Sequence, residues 1–89
     1  MALWVRTLLV TGLPHEVDPV ARQHREHLRE LHAAGRLRAA GEFKDGDGFL
    51  EIFEAVDRRE AESIAGASPL IEAGLATWML REWQELDFS

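Results

Sequence analysis

A chain of 89 residues with a net charge of −6 and 46% hydrophobic content reads as one small folded domain, residues 1–89, and not as a disordered segment. It contains no cysteine, which excludes disulfides, thiol catalysis and thiolate metal sites and fits a cytoplasmic location. Its densest basic run, Arg22, Arg25 and Arg29, is interleaved with Glu26 and Glu30 as on a solvated helix face, so nucleic acid is not an expected partner.

Leu3 to Val10 is an apolar, β-branched run broken only by Arg6 and Thr7, and it predicts a central strand buried on both faces. It is too short and too interrupted for a signal peptide, and no stretch approaches the roughly 18 apolar residues of a membrane span. Gly12 to Asp18 reads as a loop. Asp18-Pro19 predicts an N-cap with proline at the first helical position, opening a helix to about Ala34 that Gly35 ends in a left-handed cap. At about 100° per residue, Val17, Val20, His24, His27, Leu28, Leu31 and Ala34 share roughly 120° of arc. Two titratable rings therefore point inward from this helix.

Leu37 to Phe43 predicts a second strand, Lys44 to Gly48 a tight hairpin turn, and Phe49 to Val56 a third strand. Asp45-Gly46-Asp47-Gly48 is a fragment of a calcium-loop pattern without the terminal glutamate, so it reads as a turn. Asp57 to Glu60 has capping-box spacing and opens a second helix with Ala61, Ile64 and Ala65 on its inner side. Ser68-Pro69 begins a short helical turn to Ala73, stopped at Gly74. Thr77 to Glu85 is the last strand.

The order β-α-β-β-α-β predicts a ferredoxin-like α+β fold: a four-stranded antiparallel sheet with both helices on one face. Apolar residues nonetheless occupy both faces of the strands, as where Trp4 and Leu8 alternate with Leu3, Val5 and Leu9. A bare apolar sheet face predicts a partner, most simply a second copy related by a two-fold axis in a dimeric α+β barrel.

Three segments in sequence resemble the YCII-related (YciI-like) family. His24 runs into Gly35-Arg36-Leu37-Arg38-Ala39-Ala40-Gly41. Gly48-Phe49-Leu50-Glu51-Ile52 matches that family's glycine followed by an apolar strand. Ser68-Pro69-Leu70-Ile71-Glu72-Ala73-Gly74 matches its Asp-Pro-aromatic turn. The resemblance covers nearly the whole chain. It implies a dimeric ferredoxin-like protein with a cleft between sheet and helices, in which a histidine and an aspartate form a proposed active-site pair.

The histidine falls on His24 and the aspartate on Ser68. That exchange keeps an N-capping residue but removes the carboxylate that could orient the ring. Glu72, or Glu42 where the family usually has proline, is a candidate substitute. His24 is thus the candidate acid or base and Ser68 the departed partner, with no nucleophile elbow around it. His27, Arg38, Glu42 and Trp78 are candidate substrate contacts.

The His24–His27 spacing can share an ion, but a zinc site needs at least a third protein ligand, so no metal and no cofactor are expected. The leading functional expectation is a metal-free lyase or isomerase acting on a small molecule. The first alternative is a ligand-binding or structural homodimer that has lost the chemistry. A cofactorless monooxygenase is a further alternative, by analogy of fold.

Overall fold

The computed structural model describes all residues, 1–89. Strands β1 (Ala2–Val10), β2 (Leu37–Glu42), β3 (Gly48–Ala55) and β4 (Ala76–Trp83) alternate with helices α1 (Pro14–Ala33), α2 (Arg58–Gly66) and the single turn α3 (Pro69–Glu72). The strands form one antiparallel sheet in the order β2-β3-β1-β4, the ferredoxin-like arrangement expected. Most expected boundaries fall within two residues of those observed, the range over which strand and helix ends are ordinarily defined.

The start of α1 is a correction. Asp18-Pro19 was expected as cap and first turn, but the helix begins at Pro14 behind Leu13, and Pro19 lies inside it. The carboxylate of Glu16 accepts the Leu13 N–H at 3.3 Å, which supplies a cap one turn earlier. Pro19 removes only the bond to the carbonyl of His15, an exposed residue close to the helix end where solvent can reach it. The remaining caps are as read. Gly35 has φ +74°, and the Asp57 side chain accepts the Glu60 N–H at 2.9 Å.

Strand alternation divides β1 into two faces. Trp4, Arg6 and Leu8 turn to the helices and are buried, as are Phe49, Glu51, Phe53 and Ala55 on β3. The other face of β1 is only partly covered, with Leu9 53% exposed, so the strand is central in the sheet without being buried on both sides.

Under the helices the core separates into two apolar clusters. Trp4, Phe53, Ala55, Ala61 and Ala65 fill one end, and Leu8, Val17, Ala21, Phe49 and Leu70 the other. Between them lies a polar layer made of Arg6, His24, Glu51 and Ser68, each fully buried. β1 and β3 approach so closely at Gly48 that a Cβ there would sit 2.1 Å from the Leu8 carbonyl oxygen, so only glycine fits.

Candidate active site in the buried polar layer

Four elements contribute one polar side chain each. Arg6 and Glu51 are direct cross-strand partners on β1 and β3. His24 descends from the middle of α1, and Ser68 caps α3. The Arg6 Nε–H donates to Glu51 Oε1 at 2.6 Å, and His24 Nε2 lies 2.9 Å from Glu51 Oε2. On the other side of the ring, His24 Nδ1 lies 2.8 Å from Ser68 Oγ, which also accepts the Leu70 N–H at 3.2 Å.

The hydrogen positions follow from these partners. The Glu51 carboxylate accepts, so His24 Nε2 carries the proton and donates it. Nδ1 then presents its lone pair to the Ser68 hydroxyl. The result is a continuous relay, Ser68–His24–Glu51–Arg6, with the Phe49 ring packed edge-on against the imidazole at 4.6 Å between centroids. Such a relay fixes one tautomer and one ring orientation, as a carboxylate does for a histidine that moves protons.

His27 sits one turn further along α1, half-buried, with its ring 5.8 Å from that of His24 and its Nε2 3.4 Å from Arg6 Nη1. Burial, and then the Arg6 guanidinium, push its pKa down to about 4, so the ring is neutral at pH 7. Its neighbour His24 adds to the lowering, while Glu51 opposes it. His24 has both nitrogens engaged by Glu51 and Ser68, and no three histidine, aspartate or glutamate side chains converge as a metal site requires.

The sequence-predicted residues divide accordingly. His24, Ser68 and His27 come together. Glu42 and Glu72 do not replace the family aspartate: Glu42 pairs with Arg25 on the surface, and Glu72 is exposed. Arg38 pairs with Glu85 at 2.8 Å, both about half exposed, on the edge strand β2. Trp78 is opposite Leu8 on β4 and so faces the helix side, but at this sheet edge it packs near Gly66 and is 39% exposed.

Residues 6–84 match the YCII-related domain. The chain belongs to this family. It is 36% identical over 61 residues to the uncharacterized protein YjpA of Bacillus subtilis (strain 168), an alignment covering 68% of this chain and 72% of that protein. Among solved structures it is similar to 5-chloro-2-hydroxyhydroquinone dehydrochlorinase from Burkholderia phenoliruptrix AC1100, in complex with 2,5-dihydroxybenzoquinone. The TM-score is 0.64 and the identity 20%, over 90% of this chain and 93% of that one, a likeness of fold.

The carboxylate that partners the ring is Glu51, on the nitrogen opposite the one that faces Ser68. Sequence reasoning missed Glu51 and the part played by Arg6, although the signal was present. Each charge interrupts the inward, apolar set of its strand, Arg6 between Trp4 and Leu8 and Glu51 between Phe49 and Phe53. Opposite charges at inward positions of two strands imply that they pair, because an unpaired buried charge is too costly.

Proposed function

We propose that this YCII-related protein is a homodimeric acid–base enzyme of the lyase or isomerase type, acting on a small molecule with His24 as the group that moves the proton. One observation carries this reading: the His24 imidazole is held between Glu51 Oε2 and Ser68 Oγ, with its tautomer dictated by the carboxylate. A purely structural core gains little from such a layer. Replacing a buried ion pair by packed apolar residues is often neutral or stabilising, and an 89-residue domain has a small core to spare for polar groups. Clusters of this kind concentrate at functional sites.

In this chemistry Ser68 Oγ takes the substrate proton as its own hydroxyl proton passes to His24 Nδ1, and Glu51, held by Arg6, stabilises the imidazolium that forms. Removal of HCl, the activity named for the structural neighbour, is proton-transfer chemistry of the same class. No helix of this chain is long and apolar enough to cross a membrane. With its cysteine-free composition, we place the enzyme in the cytoplasm.

The dimer forms through the open sheet face. Leu9, Leu50, Met79 and Trp83 are exposed there beside the half-buried Leu3, Val5 and Ile52. Val5, Leu50, Ile52, Arg81, Glu82 and Trp83 border a depression of about 450 Å³ that a second copy would roof. Four strands about 4.8 Å apart and about 26 Å long present roughly 500 Å² of flat area, and side-chain relief brings this toward the roughly 800 Å² per partner of a standard interface.

A second reading is favoured by one specific observation. All four relay residues are fully buried and none borders a sizeable pocket. On that reading the layer is structural and the homodimer non-catalytic. The deciding experiment incubates wild type and His24→Gln in D2O with ring-hydroxylated quinones and halogenated phenols, following chloride release and deuterium incorporation. Turnover by wild type that His24→Gln abolishes while remaining a folded dimer supports the enzyme. Absence of turnover across the set favours the structural reading.

A further inference from the structure

Along β1, β3 and β4 the open face of the sheet carries two charges among its apolar and threonine side chains: Glu54 on β3 and Arg81 on β4. The strand register places them. Glu54 is opposite Leu3 and Arg81 is opposite Val5, so the two stand diagonally on either side of β1. With strands about 4.8 Å apart and about 3.4 Å per residue along them, their Cα atoms are roughly 12 Å apart. Neither forms an ion pair within the chain. Arg36 lies near Glu54 but donates to its carbonyl oxygen at 3.3 Å and to Glu60. Glu82, next to Arg81 in sequence, is opposite Trp4 and so belongs to the helix side.

A second copy laid on this face would take both charges out of water. A charge covered without a partner is costly, and like charges facing each other oppose association. One cation and one carboxylate set apart on the same face are, however, complementary to their own image under a two-fold rotation, because such an interface pairs residue i with j and j with i. We propose that the open-face dimer is fixed in one register by two reciprocal ion pairs, in each of which Arg81 of one copy meets Glu54 of the partner subunit. The inference rests on the open-face dimer of the proposed function and specifies its geometry.

For two sheets packed face to face, the two-fold axis lies between them and parallel to both. The charges exchange places only if that axis bisects, at right angles, the line joining Glu54 to Arg81. It therefore passes over β1 at the level of Trp4, between Leu3 and Val5, and oblique to the strands. The same rotation carries Leu3 over Trp83 of the partner subunit and Val5 over Ile52 of the partner subunit. The two ion pairs then flank an apolar centre, at the depression that Val5, Ile52, Arg81 and Trp83 border. Packed sheets are about 10 Å apart, a gap that an arginine and a glutamate reaching toward each other can close. The pairs contribute register and choice of partner more than affinity.

The test reverses each charge in the full chain and reads the oligomeric state by light scattering after size-exclusion chromatography, with circular dichroism as the check on folding. Wild type is expected to be a dimer. Arg81→Glu alone faces carboxylate with carboxylate twice, and Glu54→Arg alone faces guanidinium with guanidinium twice. Each should raise the dissociation constant about 100-fold or more. Mixing the two single variants should restore a dimer containing one copy of each, seen by native mass spectrometry, because both contacts are then Arg to Glu. The double variant Arg81→Glu with Glu54→Arg should dimerise alone like wild type, which gives the answer without any mixing. The proposal is overturned if the single variants dimerise as tightly as wild type, if neither the mixture nor the double variant recovers the dimer, or if wild type is a monomer. Met79→Asp separates the two readings: if it dissociates the dimer while the charge reversals do not, the open face is the interface and only this register is wrong.

Discussion

The two faces of this sheet solve opposite problems. The helix-covered face is closed, yet its centre is charged: Arg6, Glu51 and His24 are fully buried between two apolar clusters. The open face is uncovered, yet its surface is largely apolar, with Met79 59% and Trp83 39% exposed. The contrast teaches that burial on this fold does not track hydrophobicity residue by residue. Position on the pleat decides which side chain is enclosed, and chemistry decides whether enclosure stabilises the fold or equips it for function. The covered face carries the proposed chemistry, and the open face carries the proposed assembly.

The sharpest way to break this contrast is to unbalance the covered face. Glu51→Leu leaves Arg6 buried without its carboxylate and should cost about 3–5 kcal/mol in urea unfolding. Arg6→Met combined with Glu51→Leu should recover most of that loss. If the double variant is as unstable as the single, the layer does more for stability than a functional site would.

On the open face, Met79→Asp should separate the proposed dimer, raising its dissociation constant by about 30-fold or more, equivalent to about 2 kcal/mol. Light scattering after size-exclusion chromatography would show a folded monomer. A dimer that persists unchanged would place the interface elsewhere.

Ser68 sharpens the comparison at the edge of the relay. Ser68→Ala removes both the α3 cap and the His24 contact, and a loss of about 1–2 kcal/mol is expected by thermal unfolding. Ser68→Asp keeps the cap and restores the family aspartate. A carboxylate at each nitrogen should then hold His24 in the doubly protonated form, visible in its ring nitrogen shifts.

The effect of pH is smaller and has a definite sign. The pKa of His27 is about 4 in the folded protein against an ordinary 6.5, so the unfolded chain binds the extra proton more readily. The stability contributed by this group is complete above pH 6.5 and declines as the pH falls toward 4. His27→Phe should flatten that part of the stability–pH curve. The smallest effects belong to the surface pairs. Arg38→Ala and Glu42→Ala should each change stability by less than about 0.5 kcal/mol and leave any activity unaltered.

Much of the architecture was legible from periodicity and punctuation. The alternation in β1 and β3, the glycines after α1 and α3, and the Asp57 and Ser68 caps are local signals. They act within a few residues, so the sequence by itself determined the element order, the ferredoxin-like topology and the inward direction of His24 and His27. The start of α1 was misplaced because two prolines five apart both satisfy the local rule, and the contact of Glu16 with Leu13 chose between them.

The tertiary structure alone decided the partners of His24. Glu51 is 27 residues from it, Ser68 is 44, and Arg6 is 45 from Glu51. Strand register is a long-range quantity: a slip by one residue would send Glu51 to the open face, and with Leu50 and Ile52 apolar on that face too, the alternation in β3 discriminates only weakly against it. Only the packing of β1 against β3 beneath α1 makes a relay of four residues that, read along the chain, are two interruptions, a ring and a cap.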